Sequence, residues 1–344
     1  MIPNMMRKLF MKLRYVPYHL LSDEPNIIVD GSGNEHTRLT LSHWPGNHTP
    51  AQYKDDLSAQ IAFRYVEDER REALEGVEAV SNNHFDEDGL VSVFAMVHPE
   101  KALAMKDFLI EVARAGDFSM CQDRDAARVS FVLSAWTDPD RSPLNRRIFG
   151  GTTEELNQVL YEELLKRLPK IVDKVGNLKE FWAPEDRVLE ATEKAIISGK
   201  VKIEEDRDID LAVVTLPDEG ILDDDDVLEN PSSWISSELH PIAVHNKIDC
   251  FRVVLIRKQR YELYYRYETW IDFVSRILKE RVDLANLVKR LNTAERSGGQ
   301  WSFSGVDKII SRLKLEGAEE SSISPSHFLD YIRGSLTTTP LGIG

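Results

Sequence analysis

Residues 83–90 read Asn-His-Phe-Asp-Glu-Asp-Gly-Leu, so one imidazole and two carboxylates stand at alternating positions ahead of a glycine. His84, Asp86 and Asp88 can turn three donors toward one centre. Carboxylates select hard divalent cations such as Mg²⁺, and an imidazole beside them tips the choice toward Mn²⁺. Gly89 permits a tight turn and a close approach to the helix expected from Leu90, whose N-terminus favours anions such as phosphate. The plainer reading is an acidic turn in which Asp88 caps that helix.

Two more groups could join this chemistry. His43 and His48 flank an earlier strand–loop–helix turn. If both strands run parallel in one sheet, the two loops share the edge where open α/β sheets bind ligands. Either histidine could then act as a general acid or hold a second metal, although lone histidines are more often simply packed or exposed. Asp117, Asp123 and Arg124 fall between two expected helices, and Arg128 falls in the first turn of the second. Asp117 or Asp123 could complete a metal site, and Arg124 or Arg128 could grip a phosphate with two parallel hydrogen bonds. The plainer alternative there is a solvated loop with helix-capping aspartates.

The elements that must position these residues follow from periodicity. Residues 38–44 alternate like a strand, 52–75 read as a long helix ended by Gly76, and 77–80 form a second strand. The acidic loop and the helix from Leu90 come next. Helices are expected over 101–115 and 126–135, and over 153–175 behind a Thr-Glu-Glu-Leu start. No aspartate stands out at the end of a third apolar strand. Residues 184–198 read as a connecting helix and 200–204 and 211–216 as strands. A meander over 241–245, 250–257 and 261–268 follows. A long helix over 270–295, a turn at Ser297-Gly298-Gly299, a short strand over 300–303 and two helices close the chain. Asp223 to Asp226 lack the spacing of a calcium loop and read as solvated. Tyr261, Tyr264, Tyr265 and Tyr267 read mainly as packing.

The pattern predicts an α/β domain with a mainly parallel sheet over 1–180. After a connecting helix comes a smaller α+β substrate-binding domain with an antiparallel meander over 181–344. The chain has 344 residues, 42% hydrophobic and 29% charged, an ordinary globular composition. Cys121 and Cys250 form no framework, and no run is long enough to span a bilayer. These features point to the cytoplasm and no membrane partner. A net charge of −15 disfavours long nucleic acid, which needs a basic footprint. A bound cation would reverse the local sign and admit a small phosphorylated substrate. Nothing here argues against a homodimer.

The His84-x-Asp86-x-Asp88-Gly89 segment resembles the first motif of the DHH phosphoesterase superfamily, in particular its RecJ-like nucleases. The two-domain layout is similar too, and Ser297-Gly298-Gly299-Gln300 is similar to a glycine-rich segment late in that family's second domain. The chain contains no Asp-His-His sequence. The resemblance implies a Mn²⁺- or Mg²⁺-dependent phosphoesterase acting on a nucleotide, a short oligonucleotide or another small phosphate ester through metal-activated water. The alternative is a catalytically inactive protein that binds a ligand or partner on the same scaffold.

Overall fold

Short apolar runs buried from end to end are the pattern of central parallel strands, which are covered on both faces. The first unit contains such a sheet. The computed structural model describes residues 13–71, 74–222 and 239–337. Within these, the first unit runs to Asp186 and takes back residues 271–277; the remainder forms the second unit.

The first unit carries β1 (Arg14–Tyr15), β2 (Asn26–Val29), β3 (Thr37–Leu41), α1 (Ser58–Glu67), β4 (Ala79–Ser81), α2 (Glu87–Val97), α3 (Pro99–Leu103), α4 (Lys106–Asp117), α5 (Arg124–Thr137) and α6 (Thr153–Asp173). The strands lie in the order β1-β4-β2-β3 and all neighbours are parallel. Helix α2 is buried from Glu87 to Met96, so it sits inside the unit rather than on its surface. A helix apolar on all sides requires neighbours on all sides, and α1, α4 and α6 contact it.

Parallel neighbours usually need a crossover of a dozen or more residues. Between β2 and β3 the chain returns through residues 30–36 alone. Asp30 turns it with a positive φ of 45°, a conformation that aspartate tolerates better than most residues. Asn34 Oδ1 then accepts from the His36 amide at 2.9 Å and the Asn26 side chain at 3.2 Å, closing the loop.

Helix α7 (Lys179–Ile197) spans the division between the units. The second unit contains β5 (Lys202–Asp206), β6 (Leu211–Thr215), α8 (Pro241–His245), β7 (Arg252–Arg257), β8 (Arg260–Tyr265), α9 (Ala285–Ala294), β9 (Gln300–Phe303), β10 (Arg312–Glu316) and α10 (Pro325–Thr337). Its sheet order is β5-β6-β7-β8-β10-β9, antiparallel except between β6 and β7. Tyr261, Tyr265, Trp301 and Phe328 fill its core.

Several expected elements take another form. Residues 241–245 are helix, because Pro241 opens the turn and His240 Nδ1 accepts from the Ile242 amide. The helix expected over 52–75 is confined to α1. The helix expected over 270–295 survives only as α9. The amide of Asp272 donates to His43 O at 2.8 Å, and those of Val274 and Ser275 donate to Asp56 Oδ1 at 2.9 Å each. Amides spent this way cannot serve an α-helix. Where two terminal helices were expected, β10 precedes the one helix α10. The aspartate run at 223–226 lies outside the described residues. No helix among the described residues is long and apolar enough to cross a membrane.

The Ser297-Gly298-Gly299 turn has a structural cause. Gly298 has φ +87°, and a Cβ on Gly299 would meet Leu315 Cδ1 and Ala318 Cβ at 2.9 Å. Glu295 pins the turn by accepting from the Ser297 amide, the Ser321 and Ser322 hydroxyls and Trp301 Nε1. Burial opposes its charge, but the Ser321 and Ser322 donors outweigh burial and hold its pKa far below the carboxylate range. A depressed pKa contributes stability that is fully present above the unfolded value of about 4.3 and is lost progressively as pH falls from there toward the much lower folded value. Glu295→Ala should therefore cost about 2 kcal/mol at pH 7 and flatten the acid limb of the melting curve. Equal acid sensitivity of variant and parent would contradict this.

Candidate cation site

The parallel strands deliver three loops to one edge. Asp30 follows β2 directly, His43 follows β3, and the acidic loop follows β4. Carboxyl-terminal edges of this kind are where open α/β sheets bind ligands. Two groups of donor atoms form there. Asp30, His84 and Asp86 lie within 4.8 Å of one another, as do Asp30, His43 and Asp88. Asp30 belongs to both.

Each member is held in place. Asp88 accepts from the Ser58 and Ala59 amides at 2.8 and 2.7 Å, so it caps α1 from a distance of about thirty residues. Asp86, not Asp88, caps α2, through the Gly89 amide at 2.8 Å. His43 Nδ1 donates to Asp56 O at 2.7 Å, which turns Nε2 toward Asp30 Oδ1 and Asp117 Oδ2, each 3.5 Å away. His84 Nε2 contacts Asp86 Oδ2 at 2.7 Å and Asp30 Oδ2 at 3.3 Å.

The two groups differ in access. The side chains of His43 and Asp88 are fully buried, whereas His84 and Asp86 are 28% and 32% exposed. Trp44 continues the open side, its ring 5.0 Å from that of His84. Trp44 also walls a groove of about 480 Å³ lined by Arg38, Asn47 and His48 along β3.

Burial and crowding set the protonation states. Asp117 lies well above the carboxylate range through burial and then the charge of Asp88; Asp88 does so through burial and then Asp30. Burial acts against Asp30 as well, but its His84 contacts prevail and hold it at about 2. Burial likewise opposes charge on His84, yet Asp86 and Asp30 push it up to about 11. Burial pulls His43 down, toward the neutral ring. Glu87, accepting from the Ser130 and Ser134 hydroxyls, is raised by burial to about 7.

The residues fit a divalent cation. Asp30 Oδ1 and Asp117 Oδ2 are completely buried oxygens to which no group among the described residues donates a hydrogen bond. Buried acceptors of this kind normally have a partner, and a carboxylate–imidazole set suits Mn²⁺ or Mg²⁺.

Of the residues expected from the sequence, His43, His84, Asp86, Asp88 and Asp117 come together. His48 does not; it is exposed and lines the groove. Asp123 instead caps α5, accepting from the Asp125 and Ala126 amides. Arg124 and Arg128, expected as the phosphate grip, are spent on Asp186. Arg124 Nε donates to Asp186 Oδ1 at 2.6 Å, and Arg128 reaches both carboxylate oxygens at 3.3 Å while lying over the Trp182 ring. The sequence reading missed Asp30. Its signal was the short apolar run Ile27-Ile28-Val29 closed by Asp-Gly, an apolar strand followed by a carboxylate.

The profile of a family of unknown function, DUF6687, matches residues 11–342. The chain belongs to the DUF6687 family. No match was found among curated proteins or among solved structures.

A cation that enters beside His84 must displace its proton, because the ligating imidazole is neutral. Mn²⁺ affinity should accordingly rise with pH between 6 and 8. Calorimetry in buffers of different ionisation enthalpy should record at least one proton released. Affinity independent of pH, with no proton release, would contradict this arrangement.

Proposed function

We propose that this protein is a divalent-cation-dependent phosphoesterase acting on a small phosphate ester, a nucleotide or a short oligonucleotide. One observation carries the reading: the buried, undonated oxygen of Asp30 stands between two donor groups that share its carboxylate. The resemblance of the acidic loop to the first motif of the DHH superfamily supports it, and Asp30 supplies the further strand-end aspartate that the sequence reading did not find.

In this reading Asp30, His84 and Asp86 hold one cation, and Asp30, His43 and Asp88 a second. Bound cations of this class lower the pKa of a coordinated water and polarise a phosphoryl oxygen. The chain's own residues do the rest. The Asp56 carbonyl fixes the His43 tautomer, and the Ser58 and Ala59 amides fix the Asp88 carboxylate. Outer partners of this type orient metal ligands. A substrate phosphate approaches from the exposed His84–Asp86 side, and the groove beyond Trp44 receives the group that the phosphate carries. Its size falls in the range of small-molecule sites.

The test uses Mn²⁺-loaded protein and bis(p-nitrophenyl) phosphate. Asp30→Ala and His84→Ala should each lower hydrolysis at least about 100-fold, the upper end of what loss of an outer partner costs. Arg128→Ala should keep the rate and lower the melting temperature. Hydrolysis that is absent from the parent, or equal in parent and Asp30→Ala, would sink the proposal.

A further inference from the structure

Tyr161 lies on α6 with no exposed surface, and its hydroxyl is a buried polar group without a hydrogen-bond partner among the described residues. The ring is fixed by stacking on Tyr15 at 4.8 Å and by an edge contact with Phe85 at 5.2 Å. Its oxygen is aimed at the first turn of α2. A Cβ on Gly89 would meet Tyr161 Oη at 2.6 Å, Asn82 Nδ2 at 2.3 Å and Asp86 Oδ1 at 3.1 Å. Gly89 is therefore what lets the phenol come close to the carboxylate of Asp86. A donor placed so and left unpaired is a standing cost in the metal-free protein.

Asp86 has two hydrogen bonds there: Oδ1 accepts from Gly89 and Oδ2 meets His84 Nε2. If His84 Nε2 turns to a cation, Asp86 loses the second. We propose that Tyr161 is a positioning residue of the cation site, its hydroxyl donating to Asp86 when His84 and Asp86 become ligands. The inference rests on the cation reading above. Tyr161 acts through Asp86 rather than on a substrate.

The two states give Tyr161→Phe effects of opposite sign. In metal-free protein the variant removes an unpaired hydroxyl and keeps the ring, so its melting temperature should equal or exceed that of the parent. In Mn²⁺ titrations its dissociation constant should rise about tenfold or more, the scale measured for outer partners of metal ligands. A purely structural hydroxyl would lower the metal-free melting temperature, and that result overturns the proposal. So does a variant that binds Mn²⁺ as tightly as the parent, which leaves the cation reading intact. A parent that takes up no Mn²⁺ overturns the cation reading and this inference with it.

Discussion

The constraint on which the first unit depends is the crowding of carboxyl groups, most of them buried and only Asp86 partly open to water. Asp30, Asp86, Glu87, Asp88 and Asp117 approach one another with His43 and His84 between them. Like charges in a low-dielectric interior cannot all stay ionised without compensation. Each group here has a different remedy. Asp88 takes two amides at the start of α1, which oppose the rise in its pKa caused by burial and Asp30 without cancelling it. Glu87 takes two hydroxyls from α5, Asp86 and Asp30 share His84, and Asp117 is pushed toward its protonated form. The start of α1, the burial of α2 and the docking of α5 thus all answer the same electrostatic problem.

Capping and chemistry are not rival accounts of the acidic loop. Asp86 caps α2 with one oxygen and faces His84 with the other, while Asp88 caps a different helix. A carboxylate has two oxygens and about four lone-pair directions. One donor can fix it while a face stays available. His43 shows the same economy: one ring nitrogen is tied to Asp56 O, and the other turns to Asp30 and Asp117. Asp56 in turn accepts two amides from residues 274 and 275, so the segment 271–277 is anchored to the residue that orients His43.

The parts of this site legible in the sequence were those with local signatures. His84, Asp86, Asp88 and Gly89 carry their spacing on their face, and His43 and Asp117 stand at element ends. The two strand–loop–helix units, β3 to α1 and β4 to α2, were legible as well. Three things were not. Asp30 closes a strand of four residues and returns through a loop too short for the usual parallel crossover, so no periodic helix advertised the connection. The helix expected over 270–295 satisfied the apolar pattern, but its first amides bind acceptors at His43 and Asp56. Arg124 and Arg128 look the same in sequence whether they face a ligand or an aspartate 62 and 58 positions on. Each miss comes from a long-range partner that takes up a group local pattern leaves open.

The sharing of Asp30 carries a consequence for the proposed cation chemistry. One carboxylate common to two donor groups couples them, and the coupling is reciprocal, since what the first cation does to the affinity for the second the second does to the first. Two effects compete. Binding of a first cation by Asp30 and His84 would require loss of the His84 proton, a cost that the second would then not meet. The two positive charges also repel. The surrounding carboxylates would decide the balance: Asp86 and Asp88 belong to the two different donor groups that share Asp30, and Asp117, near His43, adds a carboxyl group that could ionise as positive charge accumulates. A set this acidic lowers the cost of the second charge more than a single bridging carboxylate would. Carboxyl groups that burial and crowding push toward their protonated forms in the metal-free protein are, in this reading, the reserve of negative charge that would make two adjacent cations tolerable.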